Sequence, residues 1–410
     1  MGPIDDRRPL CHARGMKLKR LVEDFEVEEL ISLQPTGGPF GLYRLTKQSL
    51  GTLEALEAIR RRWNLPRADV AFAGLKDKHA LTTQFVTIHQ GPQRNLAQTS
   101  FDLKYVGQCS RPVHASDIIA NRFAVVLRDL AAPDVAQATT AIAAVDRDGL
   151  PNYYDNQRFG SLGQSGEFIA KPWCLGNYER ALWLALADSN VHDGPHEREE
   201  KRHLRDHWGD WLRCLNLLAG SPRRNILEHL ANRPSDFRRA IALVQQDLRS
   251  LWLAAFQAHL WNQILAAFIG QVCQPGECIM HPIGQRAVPF FTELDDSQRQ
   301  QLATTLLPLP SSRLHLEAGT LKSLYDQVLS TEGMELRQVR VKYPRDSFFS
   351  KGERVALFRP GDFVHEFAAD DLYPARQKLL LRFTLPRGSY ATIVIKRIAG
   401  VGLESPPDER

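Results

Sequence analysis

The chain has 410 residues, of which 43% are hydrophobic and 24% are charged, and its formal net charge is +5. A chain of this length and apolar content can bury a large core, which indicates a globular protein of about two domains and excludes a chain that is a disordered tail as a whole. No run of roughly 20 apolar residues and no signal-peptide pattern is present, so we expect a cytoplasmic protein without a membrane span. The six cysteines are widely spaced, which is typical of reduced thiols. The basic excess is compatible with a polyanionic partner.

The first part of the chain, residues 17–107, carries one helical pattern among short strand patterns. Apolar residues recur with helical spacing over 53–63, ahead of a Leu-Pro stop, which predicts a helix. Alternation or β-branched content predicts strands at 25–28, 43–45, 70–72 and 84–88. The strand at 43–45 is expected to pair with the strand at 25–28. Residues 74–80 form a loop between two strands, and such loops often carry functional residues.

The remaining elements suggest an α+β fold. A strand at 122–128 and a helix at 135–145 continue the mixed pattern. Successive helices are then predicted at 198–218, 224–231, 236–248 and 251–269. Strand patterns resume at 354–358, 378–385 and 391–395. The simplest architecture is therefore one α+β domain, built from both ends of the chain and interrupted by a mostly helical insert.

The predicted loop at 74–80 holds a dense group of charges, because Asp77 stands between Lys76 and Lys78. By residue type alone such a triplet is more often an exposed turn than a site. A site is favoured by Gly74, which permits unusual backbone conformations, and by the apolar residues on both sides of the loop. The two lysines would keep a partly buried carboxylate ionised.

Two further clusters each have a purely structural alternative. Residues 151–160 include two tyrosines, Gln157, Arg158 and Phe159, a set that can stack on a nucleobase and hydrogen-bond its edge. A surface turn with tyrosines packed beneath it explains the same composition equally well. Residues 383–392, which include Tyr390, predict a simple hairpin between two strands.

Together these clusters resemble the signatures of the TruD family of pseudouridine synthases, and their order and spacing agree with it. The segments that carry the resemblance are 72–80, 156–160 and 385–392, joined by 19–28, 121–123 and 256–262. The resemblance extends from about residue 17 to residue 397. It implies a pseudouridine synthase catalytic domain with a mixed β-sheet, interrupted by a mostly helical insertion domain. The expected domains are 1–160 and 339–400 for the catalytic domain, 161–338 for the insertion and 401–410 for a flexible tail.

The resemblance also implies a site and a substrate. Asp77 corresponds to the catalytic aspartate, and Lys19 to the basic residue expected to pair with it. The residues expected to contact the substrate are Phe25, Asn121, Phe123, Tyr390, Gln157, Arg158, Phe159, Lys76 and Lys78. The implied reaction converts uridine into pseudouridine without a cofactor, and the expected target is uridine 13 of tRNA. RNA is thus the expected partner; neither a membrane nor an obligate protein partner is expected, and the oligomeric state is left open.

The reaction explains why these residue types are needed. Pseudouridine formation breaks the N1–C1′ bond, turns the uracil while it stays bound, and joins C5 to C1′. The carboxylate can act as a nucleophile on C1′ or as a base at C2′, and the sequence leaves both routes open. Either route needs an ionised aspartate, which a nearby cation such as Lys19 would maintain. An aromatic side chain could replace the stacking that the target base loses.

Two other functions use the same features. A noncatalytic RNA-binding protein could share the basic surface, and a hydrolytic RNA N-glycosidase could share the aspartate. A zinc site is not expected, although His203 and His207 stand four residues apart and Cys273 and Cys278 lie near each other in the sequence. The histidine pair lacks a suitably placed glutamate, and the cysteine spacing matches no common zinc module.

Overall fold

A computed structural model describes residues 16–78, 80–218 and 220–400, and the expected tail at 401–410 lies outside these residues. The chain forms two compact units. Unit 1 takes its described residues from the segments that end at Arg147 and begin at Arg359, and unit 2 is Asp148–Phe358. Within the described ranges, no helix is long and apolar enough to cross a membrane.

Strands predominate at the start and end of the described chain, and a run of consecutive helices lies between them. The strands are β1 (Lys17–Leu18), β2 (Phe25–Ile31), β3 (Phe40–Gln48), β4 (Val70–Phe72), β5 (Leu81–His89), β6 (Leu96–Gln98), β7 (Phe101–Cys109), β8 (Ile118–Leu130), β9 (Leu150–Pro151), β10 (Cys278–Ile283), β11 (Arg286–Phe291), β12 (Leu306–Pro308), β13 (Glu353–Val355), β14 (Leu357–Phe358), β15 (Gly361–Ala369) and β16 (Gln377–Pro386). The helices are α1 (Thr52–Trp63), α2 (Ala132–Asp148), α3 (Ala170–Cys174), α4 (Tyr178–Leu186), α5 (Pro195–Asp206), α6 (Trp211–Leu217), α7 (Arg224–Asn232), α8 (Phe237–Ala242), α9 (Gln246–Val272), α10 (Asp296–Thr304), α11 (Thr320–Thr331) and α12 (Ala391–Ala399).

Unit 1 is built on one mixed sheet. Its strand order is β15-β16-β8-β2-β5-β3-β7-β6, with β1 added on β8 and β4 added on β5. All the pairings are antiparallel except that of β2 with β5, where Glu26 lies opposite Leu81. Because β2 and β5 run in the same direction, the segments that enter them lie at the same end of the sheet.

Helix α1 covers part of this sheet, and its sequence explains both its ends and its packing. The helix begins after Gly51, whose N–H donates to the Glu54 carboxylate, and it ends at Asn64 in a left-handed conformation. The buried side chains of Leu56 and Ile59 pack with apolar residues of β3, β5 and β7. Burying each such side chain stabilises the fold by about 1.5–3 kcal/mol.

Unit 2 is organised around the long helix α9, whose side chains are buried on most sides. Two polar side chains of this helix bond to backbone carbonyls: Trp261 Nε1 donates to the Leu307 carbonyl at 3.1 Å, and Gln257 Nε2 to the Ser350 carbonyl at 2.8 Å. The strands of unit 2 form three two-stranded pairings, β10-β11, β12-β13 and β9-β14. The α+β class expected from the sequence is confirmed, but unit 2 also contains strands that the helical patterns did not reveal.

Several predicted elements are wrong in detail. The strand expected at 391–395 is part of helix α12, so residues 383–392 form a strand-to-helix turn and not a hairpin. The β-branched residues there suggested a strand, but burial of Ile393, Val394 and Ile398 in the core outweighs that propensity. The helix expected at 198–218 is two helices, because Gly209 has a φ of +96° between α5 and α6.

The pairing partner predicted for the strand at 43–45 is also wrong. That segment belongs to β3, and β5 lies between β3 and β2 in the sheet. Local alternation shows that a segment is a strand, but it does not identify its neighbour.

The limits of the two units differ from the domain limits expected at 160/161 and 338/339. Residues 148–160 and 339–358 belong to unit 2. The reason is a short antiparallel pairing in which Leu150 lies opposite Phe358 and Pro151 opposite Leu357. The Asn152 N–H continues it by donating to the Ala356 carbonyl at 2.9 Å.

Candidate active site

Asp77 lies in the loop between β4 and β5, residues 73–80, which we call the Asp77 loop; His79 is outside the described residues. Its carboxylate Oδ2 is 3.6 Å from Nζ of Lys19, which precedes β2. The Asp77 side chain is 41% exposed and that of Lys19 is 12% exposed. The parallel pairing of β2 and β5 brings these two residues together, although 57 positions separate them in the sequence. The carboxylate therefore faces solvent beside a mostly buried cation.

The segment that carries Lys19 is held in an unusual backbone conformation. Lys19 has a φ of +56°, in the left-handed region that most side chains avoid. Asp24 fixes this turn, because its Oδ2 accepts from the N–H of Arg20 at 3.0 Å and from the N–H of Leu21 at 2.9 Å. Arg128 of β8 in turn holds the Asp24 carboxylate at 2.9 Å.

This Arg128 contact extends into the C-terminal part of unit 1. The Arg128 Nη1 also lies 3.1 Å from Asp370 Oδ1 and 2.9 Å from Asp371 Oδ1. Burial lowers the pKa of Arg128, but hydrogen bonds to Asp24 and Asp371 outweigh it and raise that pKa above its ordinary value. The Lys19 turn is thus tied to the segment between β15 and β16 by a charge network centred on the buried Arg128.

Aromatic rings lie beneath the ion pair. The Lys19 ammonium stands 4.5 Å from the ring centroid of Phe25, within the range of a cation–π contact. Phe25 meets Phe123 edge to face at 6.2 Å, and Phe123 stacks on Phe383 at 5.5 Å. Phe25 and Phe123 are only 3% and 8% exposed, so they form the floor of the site and present little free surface.

Three of the residues expected to contact the substrate, Lys76, Asn121 and Lys78, have different surroundings. Lys76 points inward, with Nζ 2.7 Å from Asn121 Oδ1 and 3.0 Å from Oε2 of the fully buried Glu29. Lys78 is exposed, and its Nζ pairs with Glu54 at 3.3 Å. Lys76 and Asn121 therefore help to fix the site internally, whereas Lys78 lies at the surface.

Side chains that the sequence patterns did not single out hold the backbone of the Asp77 loop. Thr52 Oγ1 accepts from the Lys76 N–H at 3.0 Å, and Gln84 Nε2 donates to the Gly74 carbonyl at 3.2 Å. Lys47 Nζ donates to the Asp77 carbonyl at 2.8 Å. Burial lowers the pKa of Lys47 to about 8. The sequence feature that could have identified Lys47 is the apolar–polar alternation of β3, in which Lys47 occupies an inward-facing position.

Tyr390 lies just before α12, on the turn that follows β16. Strand β16 ends with Leu385 opposite Asn121 and Pro386 opposite Ala120. The turn that leads to Tyr390 therefore begins beside the Asn121 position of β8.

Gln157, Arg158 and Phe159 belong to unit 2, in a 3-10 turn at Asn156–Phe159. Phe159 is 6% exposed and meets Phe168 edge to face at 6.0 Å, so its ring is used in packing. The Arg158 guanidinium lies 5.6 Å from the centroid of the Tyr154 ring, and Gln157 is exposed.

No metal site is evident among the described residues, because no three His, Cys, Asp or Glu side chains there are grouped around a common point. His203, one of the two histidines considered from the sequence, lies 3.8 Å from Glu199 on the same helix. The chemistry available at the Asp77 site is that of a carboxylate, an adjacent ammonium and an aromatic floor.

Comparisons with known proteins place this chain in a family. The family model described as tRNA pseudouridine synthase D (TruD) matches residues 11–398. A relative from Methanocaldococcus jannaschii named "Probable tRNA pseudouridine synthase D 2" is 27% identical, covering 96% of this chain and 94% of its own. "tRNA pseudouridine synthase D" of Aquifex aeolicus is 26% identical, covering 93% and 98%.

A comparison with solved structures supports the same fold. A crystal structure from Methanosarcina mazei, whose description carries the same family name, superposes with a TM-score of 0.72 at 23% identity. The match covers 95% of this chain and 94% of the other. The chain belongs to the tRNA pseudouridine synthase D (TruD) family.

Proposed function

We propose that this protein converts uridine 13 of tRNA into pseudouridine and that Asp77 is the carboxylate required for the reaction. Membership of the family gives the reaction class, which is that of an isomerase. The observation that carries the role of Asp77 is its geometry: an accessible carboxylate 3.6 Å from the Lys19 ammonium, above the buried ring of Phe25.

The proposed mechanism uses this pairing. The ionised carboxylate is the form that can attack C1′ or remove a proton from C2′, and the Lys19 ammonium lies beside it. Lys19 is itself held by the Phe25 ring and by the Asp24 turn, so its charge stays next to Asp77. The isomerisation leaves the mass of the RNA unchanged, because the base is detached and rejoined within the same site.

The proposed substrate is tRNA, since the related proteins named above carry tRNA in their names. The exposed residues Lys78 and Gln157 are proposed to contact the RNA from unit 1 and unit 2, respectively. We propose uridine 13 as the target from the resemblance of the motifs to those of the family.

A tritium-release assay tests the proposal. tRNA labelled at C5 of uridine releases its tritium when C5 becomes bonded to C1′, so active protein should release label. Asp77→Asn should bind tRNA and release none. Asp102→Asn is a matched control, because Asp102 is also 41% exposed and pairs with a lysine in the same sheet, and it should keep full activity.

A second substrate locates the target. tRNA with cytidine at position 13 should release no label above background. Release from this tRNA would move the target to another uridine, and full activity of Asp77→Asn would refute the role of the carboxylate. Free uracil among the products would indicate an N-glycosidase in place of an isomerase.

A further inference from the structure

Lys47 is a buried cation directly beneath the proposed catalytic residue. It lies on β3, where Tyr43, Leu45 and Lys47 occupy alternate positions and are 0%, 0% and 1% exposed. The alternation of the strand favours an apolar side chain at this third position. An ammonium here has lost nearly all of its water, which costs free energy unless other groups replace the water.

The groups that replace the water belong to the Asp77 loop. Lys47 Nζ donates to the Asp77 carbonyl at 2.8 Å and is 3.5 Å from the Lys76 carbonyl. Over the ranges that the structure describes, the ammonium bonds to these carbonyl oxygens and to no carboxylate. The charges of Asp77 and Glu54 favour the charged form of Lys47, and the charge of Lys76 opposes it.

These contacts act on the backbone of Asp77 itself. Among the described residues, Thr52 on the Lys76 N–H and Gln84 on the Gly74 carbonyl also hold the backbone of this loop, both at residues that precede Asp77. The Asp77 carbonyl belongs to the peptide plane that adjoins the Asp77 Cα, from which the side chain projects. The hydrogen bond from Lys47 therefore restrains the backbone orientation at Asp77.

We propose that Lys47 is a positioning residue for the reaction, which holds the Asp77 loop so that the carboxylate keeps its place beside Lys19. This inference rests on the proposed role of Asp77. Lys47 is too deeply buried to touch RNA, so it acts through Asp77 and not on the substrate. A small displacement of a catalytic group is enough to reduce a rate about 100-fold.

The test compares Lys47→Met with the parent protein under single-turnover conditions, with tRNA affinity measured separately. Methionine fills the same space without a charge or a donor. We expect the rate constant of tritium release to fall about 100-fold, with tRNA affinity unchanged within twofold. Lys47→Arg, which restores a cation and donors, should recover part of the rate. Lys104→Met is the control, because Lys104 is an exposed lysine of the same sheet and its loss should change neither quantity.

The rate constant and the tRNA affinity of Lys47→Met together decide whether Lys47 has this positioning role. A rate constant of Lys47→Met within threefold of the parent would overturn the proposal, and so would a loss confined to tRNA affinity. If Lys47→Met does not fold, Lys47→Leu, which also lacks a charge and a donor, replaces it under the same criteria. An inactive parent protein would overturn the proposed function and this inference together, whereas an active parent with an unimpaired variant would overturn only this inference.

Discussion

Replacing Lys47 by methionine should make the protein more stable at neutral pH. The pKa of Lys47 falls from its ordinary value of 10.5 to about 8 because the side chain is buried. At about 1.4 kcal/mol per pKa unit, folding with the charged form costs about 3 kcal/mol. Losing the hydrogen bond to the Asp77 carbonyl offsets about 1–1.5 kcal/mol of that gain. Lys47→Met should therefore raise the free energy of unfolding by about 1.5–2 kcal/mol at pH 7.

The sign of this effect depends on pH. Between pH 8 and 10.5 the unfolded chain keeps the Lys47 proton and the folded protein has lost it, so the parent gains stability as the pH rises. By pH 10 the parent should have regained about 2–3 kcal/mol relative to Lys47→Met, and the order of stability should reverse.

Urea unfolding followed by circular dichroism, at pH 7 and at pH 10, measures the difference in unfolding free energy between Lys47→Met and the parent at each pH. Taking the difference between variant and parent removes the titration of the many other lysines and tyrosines. A stability difference between Lys47→Met and the parent that is the same at both pH values would refute the reasoning, because it would mean that the buried ammonium keeps its ordinary pKa.

Three further results are expected. Arg128→Met should lower the free energy of unfolding by about 3–5 kcal/mol, because it leaves the buried Asp24 carboxylate unpaired, and urea unfolding of this variant measures the loss. The hydrogen bond from His259, opposed by burial, lowers the pKa of Glu332 to about 2, so Glu332→Gln should cost about 3 kcal/mol at pH 7. That cost is fully present above pH 4.5, the ordinary pKa of glutamate, and should shrink to about 1 kcal/mol at pH 3. An unchanged cost at pH 3, measured by urea unfolding, would contradict the lowered pKa of Glu332. The affinity for tRNA should fall steadily as salt is raised from about 50 to 200 mM, and a flat response would exclude phosphate contacts.

Local patterns in the sequence predicted the elements around the site better than their arrangement. The helix predicted at 53–63 is confirmed as α1, and the predicted loop at 74–80 does lie between two strands. Both depend on the periodicity of neighbouring residues, which sequence displays directly. The helix α12 was missed because its β-branched residues are stabilised by burial, which depends on contacts that the local sequence does not contain.

The same distinction applies to the site. The resemblance of the motifs to the family indicated Asp77 and Lys19, and the structure brings these residues together. The residues that support them were not indicated: Lys47, Glu29 and Arg128 come from three different strands, and each matters through a contact with a distant segment. For Lys47, the sequence feature that could have indicated a supporting role is a charged residue at an inward-facing strand position.

The strand order of unit 1 has a consequence for the timing of synthesis. Strand β16 inserts between β8 and β15 at the C-terminal end of the unit, after all of unit 2 has been made. A nascent chain that ends at Phe358 has one side of β8 uncovered and lacks Asp370 and Asp371, the partners of Arg128 that help to hold the Lys19 turn. Domains generally fold as they leave the ribosome, in order from the N-terminus. The segment that carries Lys19 therefore obtains its full support only after β15 and the residues that follow it have been made, and a chain that stops at Phe358 does not have the complete site.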